Sequence, residues 1–370
     1  MTIYLDHNAS TPVAPSVAAL MQRYVTAAYG NPSSMHWAGY PARAAVSRAR
    51  EQVAASLGAA PDEIVFTSGG SEANNMAIKG LWFAPDRICD EIIVSAVEHP
   101  AVIAPCRFLE RLGARITMLP VDCHGRVTPA DLARVIGPRT LLVSIMHANN
   151  EVGTVQPIRA LADIARAHAV PFHTDAAQSL GKIDVDANAL GVDLLTIAGH
   201  KLYAPKGIGA LYIRRGVQLE SLIHGAGHES GRRAGTESAL LAAALGEACA
   251  IVDRNEQDRV RQLRDAMWRQ LVDRFGKAVV LNGHPVKRLP NTLNVSFVGR
   301  IGADILAALD GVAASTGSAC HAGEVTLSPT LAAMGVAPAT GMGAIRFSLG
   351  RETTAEQVDA VVQQLGRVLG

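Results

Sequence analysis

The sequence is poor in the features that mark membrane, secreted and nucleic-acid-binding proteins. No uninterrupted apolar stretch reaches the roughly 18 residues that a membrane-spanning helix needs. The first residues, MTIYLDHNASTPVAP, lack the basic start and apolar segment of a secretory signal. The formal net charge is only +1 and there is no clustered Lys/Arg stripe, which argues against a nucleic-acid partner. We therefore expect a soluble, cytoplasmic protein that binds neither a membrane nor a nucleic acid.

Cysteine is sparse and shows no paired spacing. The five cysteines are scattered without any CxxC pair, which argues against a disulfide framework and against a zinc site. The 12 histidines show no HxH or HExxH spacing, so no metal is expected. Cys106 and Cys249 lie in helical patterns and are expected in the core.

Apolar residues are what the sequence has in quantity. Hydrophobic residues make up 49% of the chain and charged residues 18%, which fits a globular protein with a sizeable core. At roughly 150 residues per domain, 370 residues predict about two domains. We expect residues 15–255 to form a large domain, and residues 1–14 with 256–370 to form a small one.

Between about residues 60 and 215, short apolar runs alternate with longer amphipathic segments. That alternation predicts a mainly parallel seven-stranded sheet covered by helices, an α/β fold whose ligands bind at the carboxyl ends of the strands. The predicted strands are Ile64–Thr67, Glu91–Ser95, Ile116–Leu119, Leu141–Met146, Pro171–Thr174, Leu194–Ile197 and Gly209–Ile213.

The remainder of the chain has a different pattern. A long helix is predicted from Ser238 to about Phe275, and the last hundred residues are typical of a small α+β domain. Its predicted elements are a strand at Thr292–Val298, a helix at Asp304–Leu309, a loop at Ser315–Ser328, a strand at Ile345–Leu349 and a helix from Thr354.

Residues Thr67–Asn75, reading TSGGSEANN, follow a predicted strand and open a predicted helix. Small residues let the backbone approach an anion, and a helix N-terminus offers unpaired N–H groups, so this stretch suits a phosphate. By itself it is better explained as an ordinary Ser-capped helix after a glycine turn. It is not a P-loop, because GxxxxGK[ST] is absent.

Two ionisable residues follow neighbouring predicted strands. Lys201 ends an apolar run, and a lysine drawn into an apolar site commonly has the lowered pKa that suits Schiff-base chemistry, although a lysine that reaches water explains the position as well. Asp175 could face a protonated pyridine nitrogen or simply cap the next helix. Together with the phosphate-type helix start, the ordered set is what an enzyme holding pyridoxal phosphate needs.

The chain resembles the cysteine desulfurases of the NifS/IscS type, a class V aminotransferase family within the fold-type I pyridoxal-phosphate enzymes. The likeness runs nearly end to end. Its motifs are Tyr4–Thr11, Gly30–Ser34, Thr67–Asn75, Glu98–Pro100, Ala148–Gly153, His173–Gln178, Gly199–Lys201, Arg233–Thr236, Ser315–Cys320 and Ile345–Ser348.

The resemblance implies a role for each matching residue. Lys201 would hold pyridoxal 5′-phosphate covalently, His99 would stack on its ring and assist proton transfers, and Cys320 would be the nucleophile that removes sulfur from L-cysteine. The other implied cofactor contacts are Asp175 at the ring nitrogen, Gln178 and Asn150 at the 3′ oxygen, Gly70, Ser71 and His200 at the phosphate, and Thr236 reaching in from the second subunit of a homodimer. Arg346 and Asn31 would hold the substrate carboxylate.

Two positions depart from the family pattern. Ala198 stands where the family usually has a serine that binds the phosphate, and His321 follows Cys320 where Thr or Ser is common. Both features also resemble selenocysteine lyases, so that activity is the alternative. The sulfur acceptor could be an iron–sulfur scaffold, a tRNA-thiolation protein or a biosynthetic carrier that docks near the Cys320 loop, which we expect to be mobile, with its thiol away from the cofactor.

Overall fold

A computed structural model of the chain describes residues 2–85, 87–316, 319–321 and 324–370, with the backbone alone for residues 319–321 and 324–325. The α-helices are α1 Pro15–Ala27, α2 Gly39–Ser56, α3 Gly70–Trp82, α4 Pro100–Glu110, α5 Pro129–Val135, α6 Ile158–Ala167, α7 Ala187–Leu190, α8 Ala239–Ala250, α9 Arg254–Phe275, α10 Gly302–Ala308, α11 Pro329–Ala333, α12 Pro338–Gly341 and α13 Ala355–Leu369. The strands are β1 Ile3–Tyr4, β2 Ile64–Thr67, β3 Glu91–Ser95, β4 Arg115–Leu119, β5 Thr140–Ser144, β6 Phe172–Asp175, β7 Leu194–Ala198, β8 Gly209–Ile213, β9 Val279–Asn282, β10 Thr292–Phe297, β11 Val312–Ala313, β12 Ser315–Thr316, β13 Ala319–His321, β14 Glu324–Thr326 and β15 Ala344–Ser348.

Seven strands form the main sheet in the order β2-β8-β7-β6-β5-β3-β4. Strand β8 runs antiparallel to both of its neighbours, and the other adjacent pairs are parallel. Strand β7 is buried along its whole length, as expected for a sheet covered on both faces. The predicted α/β fold with a mainly parallel seven-stranded sheet is confirmed.

Helices cover both faces of this sheet. Alternate residues of β2 lie on opposite faces of the sheet: Ile64 and Phe66 pack in one apolar cluster and Val65 packs in another. The first cluster takes in apolar residues of α1, α2, α6 and α8, and the second takes in those of α3 and α4. Cys106 in α4 and Cys249 in α8 are buried, as predicted from their helical patterns.

The C-terminal part forms a second sheet with its own apolar cluster. The sheet has four strands in the order β12-β15-β10-β9 with antiparallel pairing, and its cluster includes residues of α9, α10 and α13. Ile3 and Leu5 from the N-terminal segment are buried in the same cluster. The proposed division into 15–255 and 1–14 with 256–370 remains a prediction.

The single long helix predicted from Ser238 to Phe275 is wrong. The chain forms two helices, α8 and α9, because residues 251–253 leave the helical conformation and the Asp253 side chain caps the new helix by accepting from the N–H of Asn255 at 2.9 Å. The sequence reading also missed β9 and the short parallel pair of β1 with β11. Within the described ranges, no helix is both long enough and apolar enough to cross a membrane.

Candidate active site

A cavity of about 550 Å3 lies at the carboxyl ends of the main sheet's parallel strands. Asp175 is the last residue of β6, and Lys201 comes three residues after β7. Nine of the residues to which the resemblance gives a role line the cavity: Gly70, Ser71, His99, Asn150, Asp175, Gln178, His200, Lys201 and Arg346.

Asn31 and Thr236, whose side chains the structure describes, do not line this cavity. Asn31 is exposed, and its side-chain oxygen accepts from the N–H of Ser33 at 2.9 Å. Thr236 is exposed and lines a smaller cavity that shares Ser68 and Gly207 with the main one. The side chain of Cys320, and with it the predicted resting distance of its thiol from the cofactor, lies outside the described residues.

The start of α3 forms one end of the cavity. Its N-cap, Gly69, has φ +148°, and no side chain caps the helix, so its first N–H groups have no intrahelical partner; Gly69, Gly70 and Ser71 line the cavity. A Cβ atom on Gly69 would meet only open space. A Cβ on Gly209 would lie 2.8 Å from the Gly69 backbone, so β8 can approach this turn only because Gly209 has no side chain. This end of the cavity suits an anion.

The Asp175 carboxylate is held from two sides. Its Oδ2 accepts from Nδ2 of Asn74 at 2.7 Å and its Oδ1 accepts from the N–H of Ala177 at 2.9 Å. Only 7% of the residue is exposed. Each carboxylate oxygen can accept a further hydrogen bond, so the group can face a cation in the cavity.

The amine of Lys201 is suited to act as a nucleophile. Its Nζ donates to the backbone oxygens of Asn8 at 2.6 Å and Ala9 at 2.7 Å. Burial, and then the positive charge of Arg346, lower the pKa of Lys201 to about 8. A substantial share of the amine is therefore neutral near pH 8, as Schiff-base formation requires.

Both site histidines are held neutral. The N–H of Ala101 donates to Nδ1 of His99 at 3.1 Å at the start of α4. Burial lowers the pKa of His99 despite the opposing charge of Asp175, and Lys201 lowers it further. Burial, followed by nearby lysine charges, lowers the pKa of His200 to about 4. Each ring can therefore donate through one nitrogen and accept through the other.

The guanidinium of Arg346 closes another side of the cavity. Its Nη2 donates to Oδ1 of Asp6 at 2.6 Å and to the hydroxyl of Ser315 at 2.9 Å, and its Nη1 donates to the backbone oxygen of Asn150 at 3.1 Å. Its Nε is buried without a hydrogen-bond partner. A guanidinium of this kind can take up a carboxylate.

Four polar residues at or beside the cavity were given no role in the sequence analysis, although three of them lie in its quoted motifs. Asn8 and Asn74 line it, and Lys182 hydrogen-bonds to Asn8. Glu98 is buried before His99: its Oε1 accepts from Ser95 at 2.6 Å and its Oε2 has no partner. Burial raises the pKa of Glu98 to about 8. Two sequence positions could have pointed to these residues: Glu98 directly precedes His99, and Lys182 follows Gln178 by four residues.

The cavity fits pyridoxal phosphate. The uncapped start of α3 offers N–H groups to a phosphate, Asp175 offers a carboxylate to a protonated ring nitrogen, and Lys201 offers an amine of lowered pKa to an aldehyde. All three groups line one cavity.

Comparison with known proteins gives consistent matches over nearly the whole chain. The model of the aminotransferase class-V family matches residues 3–361. A protein named cysteine desulfurase IscS from Dictyoglomus turgidum is 46% identical over 99% of this chain and 94% of its own length. Among solved structures, a NifS-like protein superposes with a TM-score of 0.92 at 34% identity, covering 100% of this chain and 99% of its own. A structure described as SspA in complex with cysteine superposes with a TM-score of 0.85 at 37% identity, covering 95% of this chain and 100% of its own.

Proposed function

The chain belongs to the class-V aminotransferase family, and from that membership we propose that it is a pyridoxal-phosphate-dependent cysteine desulfurase. The observation that carries the proposal is that Lys201, Asp175 and the uncapped start of α3 line one cavity. The chain is also 46% identical to a cysteine desulfurase over nearly its whole length.

Different residues of the cavity would contact different parts of the cofactor. Lys201 would hold it covalently through Nζ, Asp175 would pair with the ring nitrogen, and His200 would join Gly70 and Ser71 at the phosphate. Gln178 and Asn150 would face the 3′ oxygen. When bound, pyridoxal phosphate supplies an electron sink that labilises bonds to the substrate's α-carbon.

Other residues would handle the substrate and its protons. Arg346 would bind the carboxylate of L-cysteine, in exchange for part of its contact with Asp6. His99 is neutral and lines the cavity, so it can take up and return a proton. Asn31 would assist carboxylate binding only after moving toward the cavity.

Sulfur transfer is assigned to Cys320. Its thiolate attacks the substrate sulfur, an S–S bond forms, and the bond between Cβ and sulfur breaks with its electron pair left on carbon. That carbon gains a proton and becomes the methyl group of L-alanine, and the persulfide remains on Cys320. The products together contain all the atoms of L-cysteine and the thiol.

The same comparisons support the substrate, and the partners are a further part of the proposal. L-cysteine is favoured over L-selenocysteine because the curated relative is named a cysteine desulfurase and a solved relative is described in complex with cysteine. A homodimer in which Thr236 completes the second subunit's site, a sulfur-acceptor protein that docks near Cys320, and a cytoplasmic location are further parts of the proposal.

The test is anaerobic incubation of the purified holoenzyme with L-cysteine. We expect one alanine per persulfide, with a mass increase of one sulfur atom on the peptide that contains Cys320. Cys320→Ala should form no persulfide, whereas Cys123→Ala, which removes an exposed cysteine, should react like the wild type. Wild-type levels of alanine from Cys320→Ala, or faster turnover of L-selenocysteine than of L-cysteine by the wild type, would overturn the assignment.

A further inference from the structure

Lys182 is a partly buried lysine that lies behind Gln178 and Asn8, two residues that line the cavity. Its Nζ donates to Oε1 of Gln178 at 2.7 Å and to Oδ1 of Asn8 at 3.0 Å. Both partners are uncharged side-chain amides that line the cavity, whereas Lys182 is not itself among the lining residues. Its contacts are therefore with residues that would touch the cofactor.

The backbone around Lys182 brings it to this place. The N–H of Lys182 donates to the backbone oxygen of Ser179 at 2.9 Å, which closes a turn directly after Gln178. Gly181 within the turn has φ +78°, and a Cβ there would lie 2.1 Å from Cδ1 of Leu202. The turn therefore packs tightly against the residue that follows Lys201.

Lys182 and the backbone oxygen of Asn8 together fix which way the Gln178 amide points. Nε2 of Gln178 donates to the backbone oxygen of Asn8 at 2.9 Å while Oε1 accepts from Lys182. A reversed amide would set oxygen against oxygen at Asn8 and donor against donor at Lys182. The second hydrogen on Nε2 is left for an acceptor in the cavity.

The same contacts reach the Schiff-base lysine. The backbone oxygen of Asn8 that accepts from Gln178 also accepts from Nζ of Lys201 at 2.6 Å. Lys182 holds the side chain of that same Asn8. One amine thus stabilises the donor predicted to face the 3′ oxygen and the carbonyl that orients Lys201.

We propose that Lys182 is a positioning residue of the cofactor site, which acts through the Gln178 amide and through Asn8. This inference rests on the proposed function, because it takes pyridoxal phosphate as the ligand whose 3′ oxygen Gln178 faces. Lys182 does not line the cavity, so its effect would pass through Gln178 and Asn8, which do.

The first experiment compares the affinity of each apoenzyme for pyridoxal phosphate, measured by titration of the visible absorbance. Lys182→Met removes the donor at nearly constant volume and should weaken binding about tenfold, with a shift of the absorption maximum of the bound cofactor. Lys277→Met makes the same substitution at an exposed lysine after α9 and should leave both values unchanged.

A double-substitution cycle tests whether the effect passes through Gln178. Gln178→Leu should weaken binding as well, and Lys182→Met added to Gln178→Leu should weaken it by less than Lys182→Met weakens binding in the wild type, because only the contact through Asn8 is then left to lose. Additive losses, or wild-type affinity and absorbance in Lys182→Met, would overturn the proposal. If Lys182→Met does not fold, Lys182→Gln serves instead, and a loss is still expected because its shorter side chain cannot reach both oxygens.

The two proposals fail in different ways. A wild-type protein that binds pyridoxal phosphate but releases no alanine from L-cysteine contradicts the desulfurase activity, while the binding cycle still decides the role of Lys182. An active wild type whose affinity is insensitive to Lys182→Met contradicts only the positioning role. A wild type that binds no pyridoxal phosphate contradicts both.

Discussion

At the scale of single residues, the site combines ionisable groups whose burial favours their neutral forms. Burial lowers the pKa of Lys201 to about 8 and raises that of Glu98 to about 8. An amine that is easily deprotonated suits covalent attachment of an aldehyde. A protonated carboxyl beside His99 adds no negative charge behind the cavity.

Glu98 makes the stability of the apoenzyme depend on pH. Its folded-state pKa of about 8 lies above the ordinary 4.5. The contribution of Glu98 to the free energy of unfolding is therefore fully present below about pH 4.5 and is lost as the pH rises through 8. Glu98→Gln mimics the protonated acid. We expect the variant to match the wild type at pH 5 and to exceed it at pH 9 by up to about 4 kcal/mol in the free energy of unfolding. The measurement is urea unfolding of both apoenzymes at the two pH values.

A constant difference between the two proteins from pH 5 to pH 9 would contradict a protonated Glu98. The wild type is compared with Glu98→Gln because Lys201 also changes the free energy of unfolding in this pH range, in the opposite direction. Its lowered pKa makes the folded state gain stability as the pH rises from about 8 toward 10.5. Lys201 is present in both proteins, so its contribution cancels in the difference.

At the scale of secondary-structure elements, the end of β7 and the start of α3 form the end of the cavity that suits an anion. Ala198 ends β7 and lines the cavity. Its Cβ would lie 3.2 Å from a Cβ on Gly70, so its side chain faces the first turn of α3. A hydroxyl at this position would stand among the groups proposed to hold the phosphate.

Ala198→Ser should therefore bind pyridoxal phosphate more tightly. One added hydrogen bond to a charged group predicts about a tenfold lower dissociation constant, measured by absorbance titration of the apoenzyme. Ala198→Val adds bulk without a donor and should bind more weakly, because it crowds the first turn of α3. Equal or weaker binding by Ala198→Ser would show that Ala198 does not face the phosphate.

At the scale of the whole molecule, the N-terminal segment connects the two sheets. Ile3 and Leu5 are buried in the C-terminal cluster, while Asn8 lines the cavity of the main sheet. The Asn8 side chain also donates to Thr292 of β10 at 2.8 Å. The segment therefore ties the second sheet to the cofactor site.

Truncation of Leu5 tests this connection. Leu5 is fully buried, and Leu5→Ala should lower the free energy of unfolding by about 2–5 kcal/mol. The check is chemical unfolding followed by far-UV circular dichroism, with Val13→Ala as a control because Val13 is 38% exposed. A loss no larger than that of the control would mean that Leu5 does not hold the segment in place.

The sequence predicted the main sheet well because its strands are continuous apolar runs between turns, a local signal. The break between α8 and α9 was missed because Ile251 and Val252 continue the apolar pattern and the decisive contact is a single Asp253 cap. Asn8 and Lys182 were given no role for another reason. Asn8 lies in a quoted motif and Lys182 follows Gln178 by four residues, but their contact joins positions 174 residues apart and cannot be read from either local pattern.

The position of Asn8 bears on the biosynthesis of the protein. The cavity is lined by residues from Asn8 to Arg346, and the carbonyl of Asn8 orients Lys201. A ribosome delivers the chain from its N-terminus, so the first of these groups emerges long before the last. Binding of the cofactor is therefore a late event that follows synthesis of nearly all of these residues. A nascent chain stalled before Arg346 would contain Lys201 but not the complete cavity.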